Sequence, residues 1–138
     1  KLSSLLKPNG MVGLQGITYN DHNFDTFKDS VDFIKKYIFP GSCLISIAQI
    51  INTIKSKTDL AMIDMEDITR HYPKTLKKWR ENFMSAVPQV KGMGYSQSFI
   101  NMWEYYFLYC EAGFLERNIG DFQLVFAKSG ARDIKVEY

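Results

Sequence analysis

Cysteine and histidine are scarce, with two of each among 138 residues. Cys43 and Cys110 stand far apart among apolar neighbours, and His22 and His71 have no partner at a metal-ligand or triad spacing. This excludes a zinc-ribbon or disulfide framework and leaves no nucleophile–base pair to argue from. Both cysteines are expected to be reduced and buried, in a cytoplasmic protein. No run approaches the roughly 20 uncharged apolar residues that a membrane span requires, and the opening does not read as a secretory signal. Neither sign of charge dominates: 17 basic and 15 acidic residues give a net charge of +2, too balanced for a dedicated nucleic-acid binder. There is no internal repeat and no low-complexity linker. A Gly-rich turn between a first strand and a first helix is also missing, and with it the dinucleotide or adenosine fingerprint.

What is present supports one modest domain with a real core, since 46% of residues are apolar. Aromatics reach 14%, mostly Phe and Tyr. That number suits a well-filled core, and it also suits a lined pocket. The opening KLSSLLKPNG reads as the tail of a helix that ends in a Pro8-Asn9-Gly10 turn. A helix tail in that place leads to the expectation of a chain cut from a longer protein.

Met11 to Thr18 is a short apolar run that predicts a buried strand, with Gly13 and Gly16 leaving room for a close approach to its backbone. Phe27, Val31, Ile34 and Ile38 predict a helix over 27–39 that stops at Pro40-Gly41. Ile45, Ala48, Gln49, Ile50 and Ile54 predict a second helical piece over 45–57, and 59–68 reads as a second strand. Tyr72, Leu76, Trp79, Phe83 and Val87 form one stripe of a helix that starts near Pro73 and ends or kinks at Pro88. Ser96 is a plausible N-cap for a long helix on which Phe99, Met102, Trp103, Tyr106, Cys110, Gly113 and Phe114 share a face. Phe122, Leu124 and Phe126 alternate in a third strand. The class is α/β, with the look of half a sheet.

Four stretches carry a resemblance: LLKPNGMVGLQGIT, FIKKYIFPGSCLISI, EDITRHYPKTLKKWRENF and MWEYYFLYCEAGFLERNIGDFQLVF. Their order and spacing resemble those of cyclopropane-fatty-acyl-phospholipid synthases and mycolic acid cyclopropane synthases, over roughly residues 5 to 128. KYIFPG and HY-x-x-TL-x-x-W are specific when found together at this distance. The resemblance implies the C-terminal part of a class I, Rossmann-like, S-adenosylmethionine-dependent methyltransferase. It implies the last three strands of that sheet, plus a helical insertion over 70–117 that shapes the acyl-chain pocket, within a single portion covering 1–138. The family's cofactor loop lies outside this chain, so no residue here is expected to bind S-adenosylmethionine and none to bind a metal. The fragment alone is expected to be inactive.

In the family, a cis double bond of a phospholipid acyl chain attacks the sulfonium methyl and leaves a carbocation. The new methyl then loses a proton and a three-membered ring closes. The family uses a bound bicarbonate as proton acceptor, and such an ion needs donors in a dry pocket. By resemblance Tyr72 donates its O–H to that ion, and its place at a helix start suits an anion. Ile17 would give its backbone N–H. Gln15 stands where several members carry His; its amide can donate but cannot relay a proton. Phe39, Leu76 and Cys110 match lipid-pocket positions, and Met102, Trp103 and Tyr106 share the helix face of Cys110. Aromatic faces there would stabilise a cation. The plainer alternatives stay open: a Tyr72 packed under its helix, a Gln15 satisfied by a loop, and an aromatic stripe that is only core.

Lys74, Lys77, Lys78 and Arg80 could meet anionic headgroups, which places the protein at the inner membrane surface; they equally suit a solvated face, with Glu81 one turn from Lys77. Two other functional readings remain. One is a related methyltransferase acting on a small amine or making methyl-branched fatty acids, and a polar pocket would favour the amine. The other is a non-enzymatic lipid- or partner-binding module. A half-sheet would leave an edge and an apolar face bare, so the fragment is expected to self-associate.

Overall fold

The computed structural model describes residues 1–132. After a short helix α1 (Leu2–Leu5), the chain forms β1 (Met11–Tyr19), α2 (Phe24–Asp29), α3 (Ile47–Lys57) and β2 (Leu60–Asp67). Helices α4 (Tyr72–Ser85), α5 (Val87–Gly92) and α6 (Gln97–Leu115) follow, and β3 (Ile119–Lys128) closes the sequence of elements. The sheet order is β1-β3-β2, with β3 antiparallel to both neighbours. The strand that comes last in the sequence is thus central in space, and the helices α4 to α6 are the excursion between β2 and β3.

The two faces of β3 do different work because side chains alternate along a strand. Leu124 and Phe126 face α3 and form a buried cluster with Ile50 and Leu60, extended by Ile47, Ile51, Ile54 and Phe122. The opposite face carries Ile119 and Asp121. There Ile17 and Ile119 pack against a second cluster of Leu76, Phe107 and Phe114 supplied by α4 and α6. Register sets Gln15 opposite Gln123 and Ile17 opposite Asp121. In β2 the pairing shifts between Met62 and Asp64, a bulge that leaves Ile63 without a partner.

Local chemistry explains the helix bounds. Ser46 is 1% exposed and its Oγ accepts from the Gln49 N–H at the start of α3. Pro73 sits in the first turn of α4, and Pro88 in that of α5, where the missing N–H costs nothing. The Ser96 Oγ accepts from the Phe99 N–H and opens α6. At the other end of α6, Arg117 takes φ 54 while the Asn118 N–H donates to the Gly113 carbonyl at 3.0 Å. This left-handed stop turns the chain straight into β3.

Several expectations are corrected here. The helix predicted over 27–39 is two pieces: α2 ends at Asp29, and a π-helical turn follows at Ile34–Ile38. Val31, assigned to its apolar stripe, is 74% exposed in the link. The buried side of α6 is Ile100, Phe107 and Phe114 rather than the full stripe from Phe99. Cys43 is exposed, not buried. At Gly13 and Gly16 a Cβ would meet nothing within 4 Å, so the space beside them is open. Glu81 meets Lys78 at 3.7 Å, one residue from the expected Lys77.

Phe126 is 1% exposed at the centre of the α3 cluster, whereas Ser46 contributes a single cap. Phe126→Ala is expected to cost about 3–5 kcal/mol, and Ser46→Ala about 1 kcal/mol, in urea unfolding of the full-length protein. Equal losses, or the reverse order, would contradict this account of the core.

Candidate functional site

A cavity of about 570 Å³ opens between the end of β1, the π-helical turn, α4 and α6. Its size is that of a small-molecule or acyl-chain pocket. Leu76 and Tyr72 come from α4, Tyr106 and Cys110 from α6, Ile17 from β1, and Phe39 from the end of the π-helical turn. Trp79, half exposed, and Tyr109 extend the walls. Gln15, Met102 and Trp103 are not among the lining residues. Trp103 instead packs on the Leu76–Phe107–Phe114 cluster behind the wall.

The π-helical turn is held so that Phe39 reaches the cavity. Its N–H donates to the Ile34 carbonyl at 2.8 Å, five residues back, and its ring meets that of Tyr106 edge-on at 6.2 Å. The link before the turn is tied down by Lys35. Its Nζ donates to the carbonyls of Phe27 and Ser30 at 2.6 and 2.9 Å and sits 4.0 Å over the Phe27 ring. A cation on the last carbonyls of α2 completes what the helix leaves unpaired. Asp32 accepts from the Lys35 N–H at 2.8 Å and from the Tyr109 hydroxyl at 3.2 Å.

Three wall groups, Tyr106, Cys110 and Tyr109, keep their protons over the physiological range. Burial first, then the nearby Cys110, pushes the Tyr106 phenol up to about 12. Burial likewise pushes the Cys110 thiol up to about 11, against a hydrogen bond to Tyr106 that lowers it. Burial and the Asp32 charge take Tyr109 to about 12. A thiol held that far up is an apolar wall and not a nucleophile.

At the sheet end of the cavity lie Tyr72 and Ile17. The Tyr72 ring stacks on Phe114 at 4.6 Å. Its phenol is shifted upward by burial and, second, by the charge of Asp121. The Tyr19 N–H donates to the Ile45 carbonyl across the outer edge of β1. Ile17, two residues earlier on an alternating strand, therefore turns its own N–H to that same edge and away from β3. Gln15 lies two residues further back on the same face. Its Nε2 donates to Asp121 Oδ2 at 2.9 Å, and its Oε1 accepts from Gln123 Nε2 at 3.1 Å.

Asp121 is the residue that sequence reasoning missed. It has 0% exposure, its backbone N–H donates to Thr69 Oγ1 at 3.1 Å, and its Oδ1 has no partner among the described residues. Burial raises its pKa, with the Gln15 hydrogen bond acting the other way. The one available signal was an acid in an apolar strand, but only the register shows that it faces Ile17. The Tyr72 O–H, the Ile17 N–H and the second hydrogen on Gln15 Nε2 are all donors. No cluster suited to a metal ion is found among the described residues, and no helix there is long and apolar enough to cross a membrane. The link from β1 to α2 contains no glycine; Asn20 caps it by accepting from the Asn23 N–H at 3.0 Å.

The family described as mycolic acid cyclopropane synthetase matches residues 1–124. A tuberculostearic acid methyltransferase of Mycobacterium tuberculosis is 35% identical over 129 residues, which are 94% of this chain and 30% of that protein. The cyclopropane-fatty-acyl-phospholipid synthase of Escherichia coli is 34% identical over 133 residues, 95% of this chain and 32% of that protein. The chain thus spans about a third of the length of these relatives. Among solved structures, the mycolic acid cyclopropane synthase CmaA1 in complex with SAH and CTAB superposes with a TM-score of 0.78 at 22% identity, covering 91% of this chain and 46% of that one. The cyclopropane synthase MmaA2 from Mycobacterium tuberculosis gives 0.77 at 20% identity, over 92% and 47%. At that identity the superposition establishes the fold: an α/β arrangement equivalent to about half of a cyclopropane synthase chain. With the family match over 124 residues and this fold, the chain belongs to the mycolic acid cyclopropane synthetase family.

Proposed function

We propose that this chain forms the acyl-chain and proton-acceptor side of an S-adenosylmethionine-dependent methyltransferase that adds a methylene across a cis double bond of a phospholipid acyl chain. The observation that carries the reading is the cavity: Leu76, Phe39, Tyr106 and Cys110, none of them ionised, line a space that reaches Tyr72 and Ile17, with Asp32, Lys35 and Glu116 also in its lining. An apolar chain enters such a space at little desolvation cost, and water is kept from a cationic reaction centre.

S-adenosylmethionine, when bound, supplies the methyl group as an electrophile. The residues of this chain then serve the acceptor. Leu76 and Cys110 hold the acyl chain. Tyr106 and Phe39 present aromatic surface to the cation left when the double bond attacks the methyl. Loss of a proton from the new methyl lets that C–H electron pair close the ring. Tyr72, the Ile17 N–H and Gln15 would hold bicarbonate, which when bound supplies the base for that proton. Tyr72 keeps its own proton, since its pKa is raised, and acts as a donor.

The likeness to a tuberculostearic acid methyltransferase favours a second reading, in which the product is a methyl-branched chain. The same walls serve it: the cation loses a proton without closing a ring, which leaves an alkene on the branched chain for a separate hydride donor to saturate. A small-amine acceptor is less well served. Asp32 and Glu116 both line the cavity; Asp32 is already engaged by Lys35 and Tyr109, and Glu116 is exposed. In either lipid reading the full-length protein works at a bilayer surface, with Lys74, Lys77 and Lys78 of α4 available to anionic headgroups.

Tyr72→Phe in the full-length enzyme is expected to lower kcat about 100-fold while its melting temperature stays close to wild type, because the ring keeps its stack on Phe114. Cys110→Ser should stay within about threefold, as a neutral wall thiol requires. Both are read with radiolabelled S-adenosylmethionine and unsaturated phospholipid vesicles; unchanged turnover in the Phe variant removes Tyr72 from the site. The 138-residue chain alone is expected to retain no labelled cofactor in equilibrium dialysis and to self-associate in light scattering. Retention at low-micromolar concentration would count against the division of labour proposed here.

A further inference from the structure

The proposed function leaves Asp121 unused, and its energetics argue against a purely structural role. A fully buried carboxyl group with one oxygen unpartnered weakens a fold unless something else needs it. Its other oxygen has a single side-chain partner, the amide nitrogen of Gln15. Gln15 is exposed on β1 and has three free torsions, so unaided it would sample many rotamers. Two contacts restrain it. Asp121 Oδ2 takes one hydrogen of Nε2 at 2.9 Å, and Gln123 Nε2 fills Oε1 at 3.1 Å. Each contact also settles which end of the amide is which. A carboxylate oxygen selects the NH₂ end, and an amide N–H selects the carbonyl end.

Resting on the reading of Tyr72, Ile17 and Gln15 as the proton-acceptor end, we propose that Asp121 is a positioning residue that holds the amide of Gln15 with its second N–H free for the acceptor ion. Glutamine at this position therefore works as a pair with the aspartate across the sheet. The backbone is not the fixing element, because Gln15 lies opposite Gln123 while Asp121 is its diagonal neighbour. Thr69 completes the arrangement from behind. Its hydroxyl oxygen accepts the Asp121 N–H and anchors that residue to the turn leading into α4, the helix that carries Tyr72. Gly120 gives the space for this contact, since a Cβ there would stand 3.0 Å from Thr69 Oγ1 and 2.6 Å from the Phe122 ring.

The test compares Asp121→Leu, Asp121→Asn, Gln15→Leu and the Asp121→Leu/Gln15→Leu double variant in the full-length enzyme, for methyl transfer to unsaturated phospholipid vesicles and for melting temperature. Leucine removes the acceptor and the orphaned oxygen together. It is expected to lower kcat about 10–100-fold through misplacement of Gln15, to leave KM for lipid within about twofold, and to leave the melting temperature level or raised. Asparagine keeps an acceptor oxygen for Gln15 and should restore kcat to within about threefold of wild type. The double variant should be no slower than the slower single one, as for residues acting as a unit. A leucine variant with wild-type turnover and a crippled Gln15→Leu overturns this proposal alone. So does a leucine variant whose turnover and melting temperature fall together, or an asparagine variant as slow as leucine. Full turnover in Gln15→Leu overturns both this proposal and the place of Gln15 in the site. A wild-type enzyme that transfers no methyl to lipid overturns the function proposed above, and the positioning role with it.

Discussion

The pairing of β1 with β3 sets Ile17 across from Asp121 and puts Gln15 within reach of that carboxyl group. The sheet end of the candidate site depends on it. A slip of one residue would turn Gln15 and Ile17 to the α3 face and bring Leu14 and Gly16 in their place. The register is held from the other side of the sheet. Leu124 and Phe126, each 1% exposed, lock β3 against α3, and β3 can lie against that helix in one phase only. Core packing on one face thus specifies polar placement on the other, which is how a hydrophobic constraint sets up a site whose working groups are donors.

Helices α4 and α6 meet the opposite face of the sheet and leave space between them. Their shared cluster of Leu76, Phe107 and Phe114 closes the back of that space. The π-helical turn supplies the fourth wall, and Lys35 steadies the link before it through the end carbonyls of α2. Apolar and aromatic side chains make up most of the lining, with Asp32, Lys35, Ser42, Glu116 and Asn118 set among them and Tyr72 at the sheet end.

Much of this was legible from residue pattern, and the reasons for the rest are physical. Pro73, Pro88 and Ser96 mark helix ends because their chemistry is local, and α4 and α6 follow from them. The family resemblance named Tyr72, Ile17, Phe39, Leu76 and Cys110, and the helix phase of Cys110 added Tyr106; all six line one cavity. Met102 and Trp103 share the α6 phase of Cys110 but are not among the lining residues, because a helix face is wider than one wall. The break at Ser30 was hidden by an apolar spacing that continued through it, and the carbonyls freed there are satisfied by a distant Lys35. The bulge at Ile63 and the order of strands are properties of pairing, which no single segment carries. Asp121 escaped for the same reason: an acid in a strand looks solvated until its neighbour across the sheet is known.

In the function proposed above, the Tyr72 end of the cavity holds an oxyanion that takes the proton. Turnover of the full-length enzyme in carbon-dioxide-depleted buffer, titrated with bicarbonate, tests it most directly. The account predicts low turnover without added bicarbonate and a saturable rise as it is restored. Full turnover in depleted buffer, indifferent to added bicarbonate, would contradict it.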